Sequence, residues 1–298
     1  MMLPIRANAN TPINENKPSD AAEVLAYYNR EQYGEQKLFY GPQFSDTYSG
    51  LDPVTPYLDD KPNYERDYKT KKYIITNDYI NAKQNTDDAH KGLLPRMWSN
   101  EHNENYMIFT EPLEFRINPE YAHEDELVQI VTQFRKAYAA GELDEKDYDK
   151  FLKGYGEYLI VDKPTFSNNM KFMVQYQFGY MYLRYLLWNF VGRQNDVQGK
   201  YDNTNGNWLS GINFIDEIFT GTQKNLPSDM QNNKGRNIYY GIPLLLALIG
   251  FVFHAMRDKK SFYVLLVLFL FTGLALKVYL NERPFEPRER DYALVGSF

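Results

Sequence analysis

Cysteine is absent from this 298-residue chain, which excludes a disulfide framework, a thiolate nucleophile and any cysteine-based metal site. Zero cysteine fits a bacterial cytoplasm and periplasm equally, so it does not place the chain. Histidine is scarce: His90, His102, His123 and His254 are the only four, and no two have metal-ligand spacing. No excess of positive charge exists either. With 33 Lys and Arg against 39 Asp and Glu, the net charge is −6, which argues against a nucleic-acid partner, because neutralising phosphates needs a basic face. No Walker loop, dinucleotide fingerprint, HExxH helix or G-x-S-x-G elbow occurs. Met1–Ile5 is too short to be the apolar region of a signal peptide.

What is present is unevenly distributed. A mean hydropathy of −0.58 describes one or two soluble acidic domains, yet the apolar residues gather near the end of the chain. Aromatics are 16% of the sequence, with 26 Tyr and 19 Phe, and such rings suit surfaces that are part apolar and part wet.

Residues 1–168 read as a polar extramembrane region, a small α+β part followed by a helical hairpin near 125–155. Asp20 and Glu23 are placed for a capping box at the start of a helix running to about Gln32. Lys37–Tyr40, Lys72–Thr76, Tyr106–Phe109 and Glu114–Ile117 are expected strands, and residues 43–70 irregular surface. Leu127, Ile130, Val131, Phe134 and Tyr138 fall on one face of an amphipathic helix closed by Gly141, and Asp144 starts its partner. Asp147-Tyr148-Asp149 matches a D-x-D metal pattern, but beside Glu145 and Lys146 a solvated helix face is the favoured reading.

Residues 169–191 form an aromatic helix interrupted by Lys171, Gln175, Gln177 and Arg184. A charge at mid-membrane costs roughly 2.5–3.5 kcal/mol, so an interfacial position is preferred, with a spanning one as the alternative. Residues 192–236 are a polar connection with a short helix in Trp208–Phe219. Residues 237–281 then carry Ile238–Met256 and Ser261–Leu280, two apolar stretches expected to span a membrane as a hairpin. Lys277 is expected to snorkel from the second. Residues 282–298 add an Arg-rich motif and the start of a further segment. The fold class expected is therefore a mainly α membrane protein, a transmembrane hairpin preceded by a polar α+β and helical region. Arg257, Lys259 and Lys260 in the turn favour a cytoplasmic turn, which puts residues 1–236 and 282–298 together on the periplasmic side of a bacterial inner membrane. Membrane lipids are the partners implied.

Two polar clusters flank the apolar segments on that face. Arg193, Asn195 and Asp196 follow the aromatic helix, and Arg288, Arg290 and Asp291 follow the hairpin. Arginines there suit bidentate contact with a lipid phosphate; the alternative is an ion-pair network tying loops to helix ends.

The motifs RANANTPINEN (Arg6–Asn16), NREQYG (Asn29–Gly34), YGPQ (Tyr40–Gln43), PRMW (Pro95–Trp98), WNFVGRQND (Trp188–Asp196), NKGRN (Asn233–Asn237) and PRERDY (Pro287–Tyr292) resemble a family of large bacteroidete membrane proteins of unknown function. That family is related to protein O-mannosyltransferases of the GT-C class. The resemblance implies a multi-spanning inner-membrane glycosyltransferase, of which this chain is an internal section. It further implies transfer of a sugar such as mannose from a polyprenyl-phosphate donor to a protein hydroxyl outside the cytoplasm. No other cofactor is evident. The catalytic acid of such enzymes lies in a first extracytoplasmic loop without a counterpart here, so no catalytic residue is carried over. The alternatives are a membrane-anchored scaffold that docks a partner, and a carbohydrate-binding module in residues 6–160 using exposed Tyr and Trp98.

Overall fold

The computed structural model describes residues 2–9, 17–29, 37–44, 51–59, 64–75, 82–99, 103–285 and 291–297. The chain divides into two compact units, Met1–Lys37 and Leu38–Phe298. The first holds helices Met2–Asn8 and Ala21–Asn29. The Glu23 amide donates to Asp20 Oδ1 at 2.9 Å and the Asp20 amide to Glu23 Oε2 at 3.3 Å, the reciprocal capping expected from their spacing. Residues beyond Asn29 in this expected helix lie outside those described.

In the second unit the strands are short antiparallel pairs. Tyr40–Pro42 pairs with Lys91–Leu93, Tyr57–Asp59 with Ala82–Gln84, and Tyr64–Arg66 with Tyr73–Ile75. Phe115–Ile117 pairs with Leu159–Val161. The first strand thus lies later than Lys37–Tyr40 and includes Gly41 and Pro42. The 43–70 stretch, expected to be irregular, contributes two strands. Tyr106–Phe109 is not a strand: Asn103–Met107 is a helix that buries Tyr106 and Met107. A short apolar run has the same composition in either state, and here tertiary packing decides it.

Helices Asp125–Ala139 and Glu145–Gly154 form the expected hairpin. Leu127, Val131 and Phe134 face Tyr148 and Leu152 across a core that also takes in Phe115 and Leu159. Asp144 caps the second helix by accepting from the Asp147 amide at 2.9 Å. The D-x-D face is not wholly solvated. Asp147 is half-exposed beside Lys150, but Asp149 is buried and paired with Lys153. The Tyr148 hydroxyl, also inside, donates to the Leu113 carbonyl at 2.7 Å. Burial pushes its pKa up to about 12.

A second core gathers Phe44, Met97, Tyr106, Phe109 and Leu113 around Phe172, Tyr176 and Tyr180. The last three come from one long helix, Phe166–Phe190, whose middle, Met173–Leu183, widens to π-helical turns. Its polar residues have protein partners. Lys171 pairs with Glu111, Gln177 donates to Asn281, and the buried Arg184 donates to the Tyr180 and Gly206 carbonyls. These contacts pack the helix into the folded domain and give most of its buried polar groups protein partners, the Gln177 Oε1 excepted.

The apolar end of the chain is a helical hairpin, Ile242–Arg257 and then a helix running from Lys259 to Leu280. Asp258 alone joins them, its carboxylate accepting from the amides of Lys260 and Ser261. Among the described residues one helix, Lys259–Leu280, is long and apolar enough to cross a membrane. Only 17% of its most apolar stretch is buried. The first arm begins at Ile242, not Ile238, because Asn237–Ile238 pairs with Gly192–Arg193. Tyr240 and Gly241 then take positive φ ahead of Pro243 at the helix start. Its 16 residues rise about 24 Å. Lys277 does not snorkel. It is 3% exposed and paired at 2.8 Å with Glu282, inside the domain that covers this end of the helix.

Candidate functional site

The root of the hairpin is where the sequence clusters meet the apolar helices. The long helix ends at Phe190, and Gly192–Arg193 turns back as a strand against Asn237–Ile238. The Tyr239 amide donates to the Val191 carbonyl and the Leu209 amide to the Gly192 carbonyl. This clasp needs glycine at 192. A Cβ there would meet the Leu209 carbonyl oxygen at 2.4 Å and the Asn237 carbonyl oxygen at 2.8 Å.

Arg193 lays its guanidinium over the Trp188 ring, with Cζ 3.9 Å from the centroid. Its Nη2 approaches Asn189 Oδ1 at 3.4 Å, while its buried Nε has no acceptor. The cation is therefore held flat by a ring, with its Nε closed off from outside. Asn195 has no hydrogen-bonding capacity to spare. Its Nδ2 donates to the Thr204 carbonyl and Asn205 Oδ1, its Oδ1 accepts from the Val197 and Gly206 amides, and its carbonyl accepts from Trp188 Nε1. Such a residue holds the loop in shape. Asp196 is exposed and lies against the Gly235 backbone.

Arg288 and Arg290 lie outside the described residues. Asp291 opens a 3-10 segment, Asp291–Ser297, that returns along the apolar helix. There Ser297 Oγ donates to the Phe269 carbonyl at 3.2 Å and Leu294 is buried.

Nearby charges are tuned by the same loop. Burial alone would raise the Asp202 carboxyl, but hydrogen bonds from the Thr204 hydroxyl and the Thr204 and Asn205 amides outweigh it and hold it below its ordinary range. Arg236, just before the strand residue opposite Arg193, donates to Gln223 Oε1 at 3.0 Å. Burial lowers its pKa, and the nearby Asp216 carboxylate opposes that.

Sequence reasoning missed a buried polar node on the other side of the long helix. Arg96 is fully buried. Its Nη1 donates to the Val278 carbonyl and its Nη2 to the Leu38 carbonyl, both at 2.7 Å, while its Nε finds no acceptor. Burial depresses its pKa. Its amide donates to Asn169 Oδ1 at 2.7 Å. Asn281 completes the node. Its Nδ2 donates to the Pro95 carbonyl, its Oδ1 accepts from Gln177 Nε2, and its carbonyl accepts from Trp98 Nε1. The available signal was the polar residues Asn169, Gln177 and Lys277 inside otherwise apolar or aromatic helices.

A separate open groove of about 550 Å³ lies on the helical hairpin of residues 125–154. Ile117, Val128, Val131 and Ala139 line it together with Arg116, Arg135 and Lys136. Arg135 is fixed there by a 2.6 Å hydrogen bond to the Phe115 carbonyl and by stacking over the Phe115 ring.

Among the described residues no three of His, Cys, Asp and Glu come together as a metal-binding group. Among the described residues the buried carboxylates have partners: Asp149 with Lys153, Glu282 with Lys277, and Asp216 with Ser210 and Gly211. The geometry there offers cationic and amide donors, suited to binding an anion. No curated protein and no solved structure matches this chain. The model of a family of unknown function, DUF8416, matches residues 34–174, the region from before the first strand pair into the start of the long helix.

Proposed function

We propose that this chain is the membrane-docked part of a multi-spanning glycosyltransferase that moves a sugar from a polyprenyl-phosphate donor to a protein hydroxyl. The observation that carries the reading is the hairpin. Leu246, Ile249, Phe253, Val264 and Phe271 are each about half exposed or more, an apolar surface that water does not tolerate and a bilayer does. The basic turn at Arg257, Lys259 and Lys260 faces the cytoplasm in this reading, and residues 38–236 lie on the opposite, periplasmic side. Arg193, stacked on Trp188 at the root of the hairpin, stands where a lipid phosphate lies and receives the departing charge. The base that activates the acceptor hydroxyl comes from outside the residues described above.

The test is complementation of a deletion strain with the chromosomal reading frame. Arg193→Ala is expected to abolish glycoprotein staining while Arg193→Lys keeps part of it, with both proteins still in the membrane fraction. Staining unchanged in Arg193→Ala, and equally in Arg288→Ala with Arg290→Ala, removes the donor-phosphate role.

A second reading, a membrane-anchored scaffold, is favoured by the groove beneath Arg116, Arg135 and Lys136. Three cations over an apolar floor suit an acidic amphipathic peptide. Loss of a defined partner on Arg116→Glu with Lys136→Glu, with glycosylation intact in the deletion strain, supports the scaffold over the enzyme.

A further inference from the structure

Helix Asn213–Thr220 is built inside out. Two of its polar residues point into the protein, where Asp216 is 4% and Thr220 7% exposed, while Asn213 and Glu217 at the rim of that polar face are exposed. The Asp216 carboxylate accepts from the Ser210 amide at 2.6 Å, the Ser210 hydroxyl at 2.7 Å and the Gly211 amide at 3.0 Å. The Thr220 hydroxyl donates to the Asp216 carbonyl at 2.7 Å. Its large apolar residues point out: Phe214 is 80%, Ile218 65% and Phe219 54% exposed, and Ile212 just before the helix is 54% exposed. A surface helix facing water turns its apolar stripe inward, because each buried large side chain contributes roughly 1.5–3 kcal/mol. This helix reverses that order, and its inward hydrogen bonds fix the reversal.

Its position gives the reversal a purpose. Gly211, at φ 81°, presses against the side chains of Ile238 and Tyr240, so closely that a Cβ would come within 2.5 Å and 2.7 Å of them. Tyr240 is 68% and Ile242 56% exposed, and Ile242 opens the apolar helix. The short helix thus starts, through Gly211 and Ile212, beside the root of the hairpin. Lys224 and Lys234, both exposed, lie in the polar stretch between this helix and the clasp.

We infer that Asn213–Thr220 is an interfacial helix that seats Phe214, Ile218 and Phe219 at the headgroup–acyl boundary of the lipid bilayer, beside the point where the hairpin enters. The inference rests on the hairpin being in the membrane. It adds a second contact that sets how the domain sits over the lipid surface. Aromatic and branched side chains at that depth act as anchors, and an interfacial helix buries its apolar face about 5–10 Å into the boundary.

The absence of cysteine makes the test direct. Single cysteines replace Phe214, Ile218, Leu265 and Asp229 in the complete chain, reconstituted in phosphatidylcholine–phosphatidylglycerol vesicles and spin-labelled. Collision with oxygen and with a water-soluble nickel chelate then reports depth. Phe214→Cys and Ile218→Cys are expected to favour oxygen over nickel relative to Asp229→Cys, at a depth shallower than Leu265→Cys. Positions 214 and 218 reading as aqueous as 229, with 265 deep, overturns the interfacial helix and leaves the hairpin reading standing. Positions 214 and 218 shielded from both reagents point to a protein partner and also overturn it. Position 265 reading aqueous overturns the hairpin reading and this inference with it. Exposed positions were chosen so that the Asp216 hydrogen bonds survive each substitution.

Discussion

Replacing Asn281 tests how the apolar hairpin is fastened to the domain above it. Asn281 sits at φ 43°, ψ 48°, the left-handed residue that ends the helix Lys259–Leu280. Its side chain donates to the Pro95 carbonyl at 2.9 Å and accepts from Gln177 Nε2 at 3.0 Å, both in the interior. Asn281→Ala leaves that carbonyl and that amide buried without partners, at about 1–3 kcal/mol each. A non-Gly, non-Asn residue in the left-handed region adds about 1–2 kcal/mol. The expected loss is therefore about 3–8 kcal/mol, large beside the typical 5–15 kcal/mol stability of a domain. Asn281→Gly loses the same hydrogen bonds but tolerates the dihedral angles, so it is expected to be about 1 kcal/mol more stable than the alanine variant. The assay is equilibrium unfolding in detergent micelles followed by tryptophan fluorescence. Trp98 is a local reporter, because its indole N–H donates to the Asn281 carbonyl. An alanine variant within 1 kcal/mol of the parent, or a glycine variant less stable than the alanine one, refutes the reasoning.

Other outcomes follow from single contacts. Tyr148, raised from 10.0 to about 12 by burial, stays neutral in the folded protein while the unfolded chain ionises. Its contribution is intact below pH 10 and is lost as pH rises from 10 towards 12, about 2–3 kcal/mol at 1.36 kcal/mol per unit. Tyr148→Phe removes that part of the alkaline slope, at a cost of about 1 kcal/mol at neutral pH for its bond to Leu113, as pH-dependent denaturation will show. Gly192→Ala forces a Cβ into two backbone carbonyls and is expected to cost about 1–3 kcal/mol, with faster hydrogen exchange at Ile238 and Tyr239. Asp216→Ala strips three donors of their acceptor and is expected to open the 210–220 segment at a cost of about 2–4 kcal/mol, read as lost protection of the Ser210 and Gly211 amides.

Local pattern revealed elements whose stability comes from their own periodicity. The Leu127–Phe134 stripe, the Asp144 cap and the strand at Tyr73–Ile75 fell within a residue or two of their expected places. Ile238–Gly241 did not, because an apolar run carries no mark of whether its backbone continues a helix or pairs with a distant strand. Tyr106 and Met107 were misread for the same reason, since a five-residue helix is too short to show a period. The place of Arg193 at the end of the aromatic helix was legible in the sequence. The node around Arg96 was not. Its guanidinium reaches carbonyls 58 and 182 residues away, and Asn281 reaches one 186 residues away. Nothing local in PRMW distinguishes an arginine bound for the interior from one bound for solvent.

The clasp of Gly192–Arg193 on Asn237–Ile238 has a consequence for how this protein can change. Everything between the two strands leaves and returns at one point; its first half is tied to the long helix by Trp188 at Asn195, Tyr180 at Tyr201 and Arg184 at Gly206, so it is the stretch after Thr220 whose length can vary. Doubling such a loop adds only about 0.6 kcal/mol of closure entropy. Insertions and deletions there are absorbed locally, and the chain can vary what it presents beside the hairpin while its anchoring geometry is inherited unchanged.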